Sequence, residues 1–216
     1  MLNPIQSQLD RVIAGTQQLT LPIHDEEGTV IGTLRPLTLA YLDDAAILEK
    51  LTDWRNQNMT SFLSQFTATL DRTRSWLSNV VFQASGQMLF LVYSNDLLMG
   101  HLGFKNLTPL DALMDNAIRG ARGGHPKIFV MAHKTLAKWL FQEAKIESLY
   151  GYVMIDNAPA IMMNKQVGWS IWIRLPLLKL APGEDDVRWE IGDEDQASPE
   201  GKYCYKIIMA RSDMIR

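Results

Sequence analysis

Asp115-Asn116-Ala117-Ile118-Arg119-Gly120-Ala121-Arg122-Gly123-Gly124-His125-Pro126-Lys127, running into a helical pattern that continues to Ala144, is the stretch on which the fold turns. It reads as the end of a strand, a loop, and a long helix. The loop carries three glycines and four basic or imidazole side chains, Arg119, Arg122, His125 and Lys127. Such a junction offers free backbone N–H groups and the positive end of a helix dipole, which together make an anion site. Glycine lets the backbone come close to a ligand, and arginine adds forked donors that match phosphate. The reading is a phosphate-bearing cofactor held between residues 117 and 130. In the helix that follows, Lys134, Lys138, Gln142 and Lys145 form one polar stripe, and Phe129, Ala132, Leu136, Ala137, Leu140 and Phe141 cover the rest. Pro126 suits the first turn, where its missing N–H costs nothing.

Upstream of this junction, residues 1–28 are polar and broken by Gly15-Thr16 and by His24 to Gly28, which predicts an N-terminal extension with a helix over Gln6–Ile13. The main domain then spans residues 29–216. Thr29 to Pro36 predicts a strand. After Thr38, a candidate N-cap, Ile47, Leu48, Leu51 and Trp54 recur at helical spacing, with Asp43 and Asp44 in the first turn. A second helix starts at Thr69 and shows Trp76, Leu77, Val80 and Val81 on one side. Met88–Tyr93 and Leu97–Phe104 predict a hairpin around Ser94-Asn95-Asp96, whose Asn and Asp tolerate left-handed geometry. Asp111–Ile118 is the next strand, although Leu110 to Met114 reads equally as extended loop.

Downstream, Glu147–Ile155 predicts a buried strand and Asp156-Asn157 the cap of a short helix, Ala158–Val167, closed by Gly168 as a C′ residue. Gly168–Leu180 and Tyr203–Ala210 complete the strands. Between them residues 181–201 form an acidic, loop-like insertion. The order of elements describes an α/β (α+β) domain with a mixed sheet.

The bulk properties narrow the partners. A composition of 47% hydrophobic and 21% charged residues is that of an ordinary globular protein, and a net charge of −3 gives no general attraction to nucleic acid or an anionic membrane. No basic region followed by an apolar core opens the chain, and no apolar run approaches a membrane span, so neither secretion nor membrane insertion is expected. Cys204 stands alone, which excludes an internal disulfide and makes a reducing cytoplasm the simpler home. One cysteine and four scattered histidines show no zinc spacing, so no metal is expected.

Four local patterns then resemble the GNAT acetyltransferase superfamily over roughly Leu34 to Ile173. Leu34-Arg35-Pro36-Leu37-Thr38 with Trp54-Arg55-Asn56 is similar to the first strand and helix of bacterial members acting on amino sugars or on protein N-termini. Met99-Gly100-His101-Leu102-Gly103-Phe104 resembles their third strand. Asp115-Asn116-Ala117-Ile118-Arg119-Gly120 resembles the fourth strand entering the coenzyme A loop. Ile155-Asp156-Asn157-Ala158-Pro159-Ala160-Ile161, running to Gly168-Trp169, is similar to the helix between strand five and the last hairpin.

The resemblance implies a mostly antiparallel twisted sheet flanked by helices, with splayed fourth and fifth strands and acetyl-CoA as cofactor. It places the pantetheine along Asn116, Ala117, Ile118 and Arg119, and the pyrophosphate on the loop of Arg122, Gly123, Gly124, His125 and Lys127. Asn157 joins the cofactor set. Asp115 is a candidate general base, or a strand-end carboxylate paired with Arg119. His101 is either a base facing the amine or a structural strand histidine. The family's usual tyrosine, acid to the departing thiolate, falls at Asn164, which can donate a hydrogen bond but not a proton. The loop also departs from the family spacing in either register, from Arg119 or from Arg122. Arg55 and Asn56 are either substrate ligands or a helix terminus. Trp169 and Trp172 alternate with Ile171 and Ile173 as core and sheet surface, and His133 reads as packing or surface.

The function so implied is an acetyl-CoA-dependent N-acetyltransferase acting on a primary amine, with a nucleotide-linked amino sugar as the substrate. Ribosomal-type protein N-terminal acetylation is the rival within the class. Outside it stand a non-catalytic module holding coenzyme A or another nucleotide, and a structural subunit using the extension and acidic loop as contacts. The expected partner is a small-molecule amine, with a homodimer left open.

Overall fold

Short apolar runs punctuated by Gly, Asn and Asp give the chain ten strands and six helices among the residues described, 5–180 and 186–214, in the computed structural model. Residues 1–4 of the extension, 181–185 of the acidic stretch, and 215–216 lie outside them. In chain order the elements are α1 (Gln6–Ile13), β1 (Leu21–His24), β2 (Val30–Pro36), α2 (Ala45–Gln57), β3 (Ser64–Gln65), α3 (Leu70–Trp76), β4 (Met88–Ser94) and β5 (Leu97–Lys105). They continue with β6 (Asp111–Arg119), α4 (Ile128–Trp139), β7 (Ser148–Met154), α5 (Ala158–Val167), β8 (Ser170–Leu180), β9 (Val187–Ile191), β10 (Tyr203–Ala210) and α6 (Arg211–Met214). The strands run in the order β1-β2-β4-β5-β6-β7-β10-β8-β9-β3, and every neighbouring pair is antiparallel except β6 and β7.

Side-chain alternation divides the core between the two faces. On one face Phe90, Val92, Leu102 and Phe104 pack with Leu9 and Val12 of α1 and with Ile128, Ala132, Leu136 and Leu140 of the long helix. On the other, Leu89, Leu91 and Ile118 meet Leu48, Leu51 and Trp54 of α2 and Leu77 beyond α3. A fully buried side chain such as Phe90 or Leu48 contributes about 2 kcal/mol relative to exposure, so both helical layers are held firmly on the sheet.

Several boundaries differ from the sequence reading for identifiable reasons. Asp44, not Thr38, caps α2, its Oδ1 accepting the Ile47 N–H at 3.1 Å; Leu39–Asp43 form a separate 3₁₀ turn first. The acidic stretch carries a strand, β9, whose residues Arg188 to Ile191 pair against Leu177–Leu180 while Val187 pairs with Gln65 of β3, and the net acidity masked the alternation of Val187, Trp189 and Ile191. Residues before 29 are packed in: Leu9, Val12, Ile13, Leu21 and Ile23 lie in the core under α4, and β1 pairs with β2. The β4–β5 turn matches its residues, with Asn95 and Asp96 both at positive φ. Asn157 caps α5 by accepting the Ala160 N–H at 3.2 Å, and Gly168 ends it at φ 109°. Among the described residues no helix is long and apolar enough to cross a membrane.

Candidate active site

The site begins where β6 and β7 part. The two parallel strands pair only through Asp111, Ala112 and Leu113 against Ser148, Leu149 and Tyr150, after which their backbones separate. On its other side β6 remains paired to β5 as far as Arg119, but with one extra residue. His101 faces Ile118 and Gly103 faces Asp115, so two steps on β5 span three on β6. The bulge falls at Asn116 and Ala117, and Asn116 has the left-handed φ of 54° that Asn adopts more readily than most residues.

The widening seam opens a cavity of about 550 Å³. Asp115, Asn116, Ala117, Ile118 and Arg119 form one wall, and Tyr152, Val153 and Met154 of β7 another. Phe129, Val130 and His133 approach from α4, with Pro126 just before it, and Ala160, Met163 and Asn164 from α5, with its cap Asn157. The unpaired edge of β6 therefore offers backbone donors and acceptors along the seam, and the first turn of α4 stands at one end. Of the candidate residues, Asp115, Asn116, Ala117, Ile118, Arg119, Asn157 and Asn164 meet in this cavity.

The glycine-rich loop lies beside the cavity and reaches it through Pro126. Gly123 and Gly124 take φ of 94° and 65°, and a Cβ on Gly124 would stand 3.0 Å from Ser94 Cβ, so a side chain there would be strained and would crowd Ser94. The His125 N–H donates to Ser94 Oγ at 3.1 Å, His125 Nδ1 accepts the Lys127 N–H at 3.3 Å, and Arg119 donates to the Gly123 carbonyl. Lys127 is ion-paired with Glu26 at 2.6 Å, which holds that carboxyl below its ordinary pKa. Arg122 completes the loop beside them.

On the α2 side a second group of candidates sits under the bulge. His101 is buried, and its Nδ1 lies 2.7 Å from the Asn116 carbonyl; a carbonyl only accepts, so Nδ1 carries the proton. Trp54 stacks over the ring. Burial pulls the His101 pKa down to about 4, outweighing that hydrogen bond, so the ring is neutral at physiological pH. Asp115 pairs with Lys105 at 2.5 Å rather than with Arg119, and its Oδ2 also accepts from Asn116 Nδ2 at 3.2 Å. Arg55 donates to the Ser64 carbonyl and lies over the Phe62 ring, 3.6 Å from its centroid. Desolvation lowers the Arg55 pKa to about 10, and Asp115 acts against that shift. Asn56 exchanges two hydrogen bonds with the Ala68 backbone, at 3.0 and 2.7 Å, and so ties the loop after α2 to its base.

A second cavity of about 400 Å³ adjoins the first, sharing Ser61, Met154, Asn157 and Pro159 with it. It adds Thr60, Gln65, Trp189 and an Asp156–Lys202 ion pair of 2.9 Å. The sequence reading missed Lys105, Phe62 and Trp189 at these sites, and missed His133 as a cavity residue. Only His133 left a signal: it falls on the apolar face of its helix, in line with Phe129, Leu136 and Leu140.

No protein-family model and no curated protein matches the chain by sequence. Solved structures match it by shape. Spermidine N-acetyltransferase from Vibrio cholerae, in complex with CoA and spermine, is 14% identical at a TM-score of 0.61, over 86% of this chain and 98% of that one. The acetyltransferase that modifies the N-terminal serine of ribosomal protein L7/L12 from Salmonella typhimurium is 13% identical at 0.63, over 89% and 99%. The N-acetyltransferase PseH from Campylobacter jejuni is 14% identical at 0.53, over 84% and 99%. The splayed seam, the bulged strand and the loop-to-helix junction are thus set in a fold that this chain shares with the GNAT acetyltransferases.

Proposed function

We propose that this chain is an acetyl-CoA-dependent N-acetyltransferase acting on a primary amine in a reducing cytoplasm. The observation that carries it is the seam: a strand edge free from Asp115 to Arg119, lining a cavity that runs to the N-terminus of α4. The residues fit the cofactor. The exposed edge of β6 suits the amides of a pantetheine arm, and the loop from Arg119 to Lys127 with the first turn of α4 suits the pyrophosphate. Asn157 and Asn164 face the arm from α5. When bound, acetyl-CoA supplies the activated acyl group as a thioester.

The chain's own residues hold and prepare the amine. The Asp115 carboxylate attracts an ammonium group and receives its proton, directly or through a water, while Lys105 fixes its orientation. His101 positions rather than reacts: its proton is committed to the Asn116 carbonyl, which sets the bulge. Arg55 shapes the acceptor side through Phe62 and the backbone at Ser64. Asn164 donates a hydrogen bond toward the departing sulfur, and solvent supplies the proton.

The smaller cavity favours an amine carried on a hydroxyl-rich body such as a nucleotide-linked amino sugar. Thr60, Ser61, Gln65 and Asn157 offer neutral hydrogen bonds there, and Trp189 offers a flat apolar face. Thiol release from acetyl-CoA, followed with amino-sugar nucleotides, polyamines and N-terminal peptides as acceptors, tests this. Turnover with a peptide alone would replace the sugar substrate by the ribosomal-type one, and calorimetric binding of acetyl-CoA without turnover on any amine would leave a binding module.

A further inference from the structure

The floor of the seam cavity contains two polar side chains that the fold leaves unsatisfied. His133, on α4, is 4% exposed, and neither ring nitrogen has a hydrogen-bond partner among the described residues. Trp169, just beyond the glycine that ends α5, is 6% exposed, and its Nε1–H is likewise without a partner. Both side chains line the same cavity as the free edge of β6. Most buried polar atoms in folded proteins are paired, because an unpaired one forfeits its hydration for nothing. Two on one cavity wall mark a place where something else completes them.

Their chemistry limits what that is. Burial drives the His133 pKa down to about 4, so the ring is neutral and brings one N–H donor and one lone pair. Trp169 adds a second donor. Two donors and one acceptor without net charge match a secondary amide, whose carbonyl oxygen accepts and whose N–H donates. They do not match a phosphate, whose burial here without a counter-charge is prohibitive. The backbone gives access: β7 carries Gly151 one residue past its last pair with β6, between Leu149 and Val153 on the face that α4 covers. Gly151 and Ile207 both line the cavity, and a Cβ at Gly151 would crowd Ile207 Cγ1 at 3.3 Å, so the bare backbone keeps this part of the wall thin.

We infer that His133 and Trp169 are cofactor-positioning residues that hold an amide of the pantetheine arm of acyl-CoA from the side opposite β6. This rests on the acetyl-CoA reading and adds to it a pair of side chains that grip the arm rather than the nucleotide.

Calorimetry with coenzyme A and with adenosine 3′,5′-bisphosphate, which lacks the arm, tests it on the intact chain. Trp169→Phe removes one donor and keeps the ring's bulk; His133→Phe removes both functions of the imidazole. Each variant is expected to bind coenzyme A roughly three- to tenfold more weakly, the loss of one net hydrogen bond. Each should bind the bisphosphate as wild type does, and His133→Phe should melt no lower than wild type in the absence of ligand. Unchanged coenzyme A affinity in both variants would overturn the inference and leave only buried water on these groups. Equal weakening of coenzyme A and bisphosphate would overturn it too, as damage to the fold. A wild-type chain that binds neither ligand would instead remove the acetyl-CoA reading itself.

Discussion

Acid should destabilise this protein through His101 and His133, by an amount set by their burial. Both imidazoles are fully enclosed and fall to a pKa of about 4 from an ordinary value of 6.5. Between those values the unfolded chain binds protons that the folded chain refuses, so stability rises with pH across the window and is lost as pH falls through it. Above 6.5 the contribution is complete. A shift of about 2.5 units corresponds to about 3 kcal/mol per histidine, of which about 2 kcal/mol is gone by pH 5. The pair together should therefore cost about 4 kcal/mol between pH 7 and pH 5, a large share of the stability of a domain this size.

Urea unfolding followed by tryptophan fluorescence at the two pH values reads this directly. Carboxylates add their own pH dependence, so the informative quantity is the difference between variants. His133→Phe has nothing to protonate, and His101→Gln keeps an N–H for the Asn116 carbonyl without a titrating ring. Each should lose about 2 kcal/mol less than wild type on going from pH 7 to pH 5, and the double variant about 4 kcal/mol less, since the sites lie on different elements and should add. A His133→Phe penalty within about 0.5 kcal/mol of wild type would refute the reasoning, because a neutral buried ring cannot then be what acid attacks.

Other substitutions separate chemistry from framework. Asp115→Asn should leave acetyl-CoA binding intact by calorimetry and lower kcat at least about tenfold; an unaltered rate would remove Asp115 from proton transfer. Asn56→Ala loses both bonds to the Ala68 backbone and should lower unfolding stability by about 2 kcal/mol in a denaturant titration. Gly120→Ala would place a Cβ 2.0 Å from the Trp54 ring, and should cost about 3 kcal/mol, seen as a depressed melting temperature.

Much of the fold was legible because its signals are local. Asn95-Asp96 require positive φ and mark a hairpin. Asn157 and Gly168 bracket α5 with a side-chain cap and a left-handed stop, and the loop from Gly120 to Lys127 announces a helix start. The seam itself was legible only through resemblance, since no residue in β6 or β7 says where two parallel strands stop pairing. What escaped has a common cause. β9 was hidden because acidic residues flank it on both sides and a five-residue alternation is a weak signal within a charged stretch. Asn56 stands in the sequence beside Arg55 in a motif that suggests ligand binding, yet its amide is spent on a backbone twelve residues away. His133 looked like one more residue on a packed helix, and only the placement of α5, Trp169 and Gly151 around it shows a cavity-lining ring whose nitrogens are buried without a partner among the described residues.

One residue, Asn116, ties the bulged strand to the histidine beneath it. β6 pairs with β7 only through residues 111–113, and the bulge follows at Asn116 and Ala117, within the unpaired part of the strand. The left-handed φ at Asn116 accommodates the extra residue, and its carbonyl meets His101 while the β7-facing edge stays unpaired. That conformation is costly for a residue with a side chain, and three neighbours hold it. His101 donates to the turned carbonyl, Trp54 lies over the imidazole, and Asp115 accepts from the Asn116 amide. A charged imidazole in this pocket would be expensive, which is why the same burial that fixes the bulge also makes His101 acid-sensitive. Protonation of His101 at low pH should therefore reshape the edge from Asn116 to Ile118, and coenzyme A affinity measured by calorimetry should fall at a pH where tryptophan fluorescence still reports the folded chain. The bulged strand, the neutral histidine and the free edge are one device.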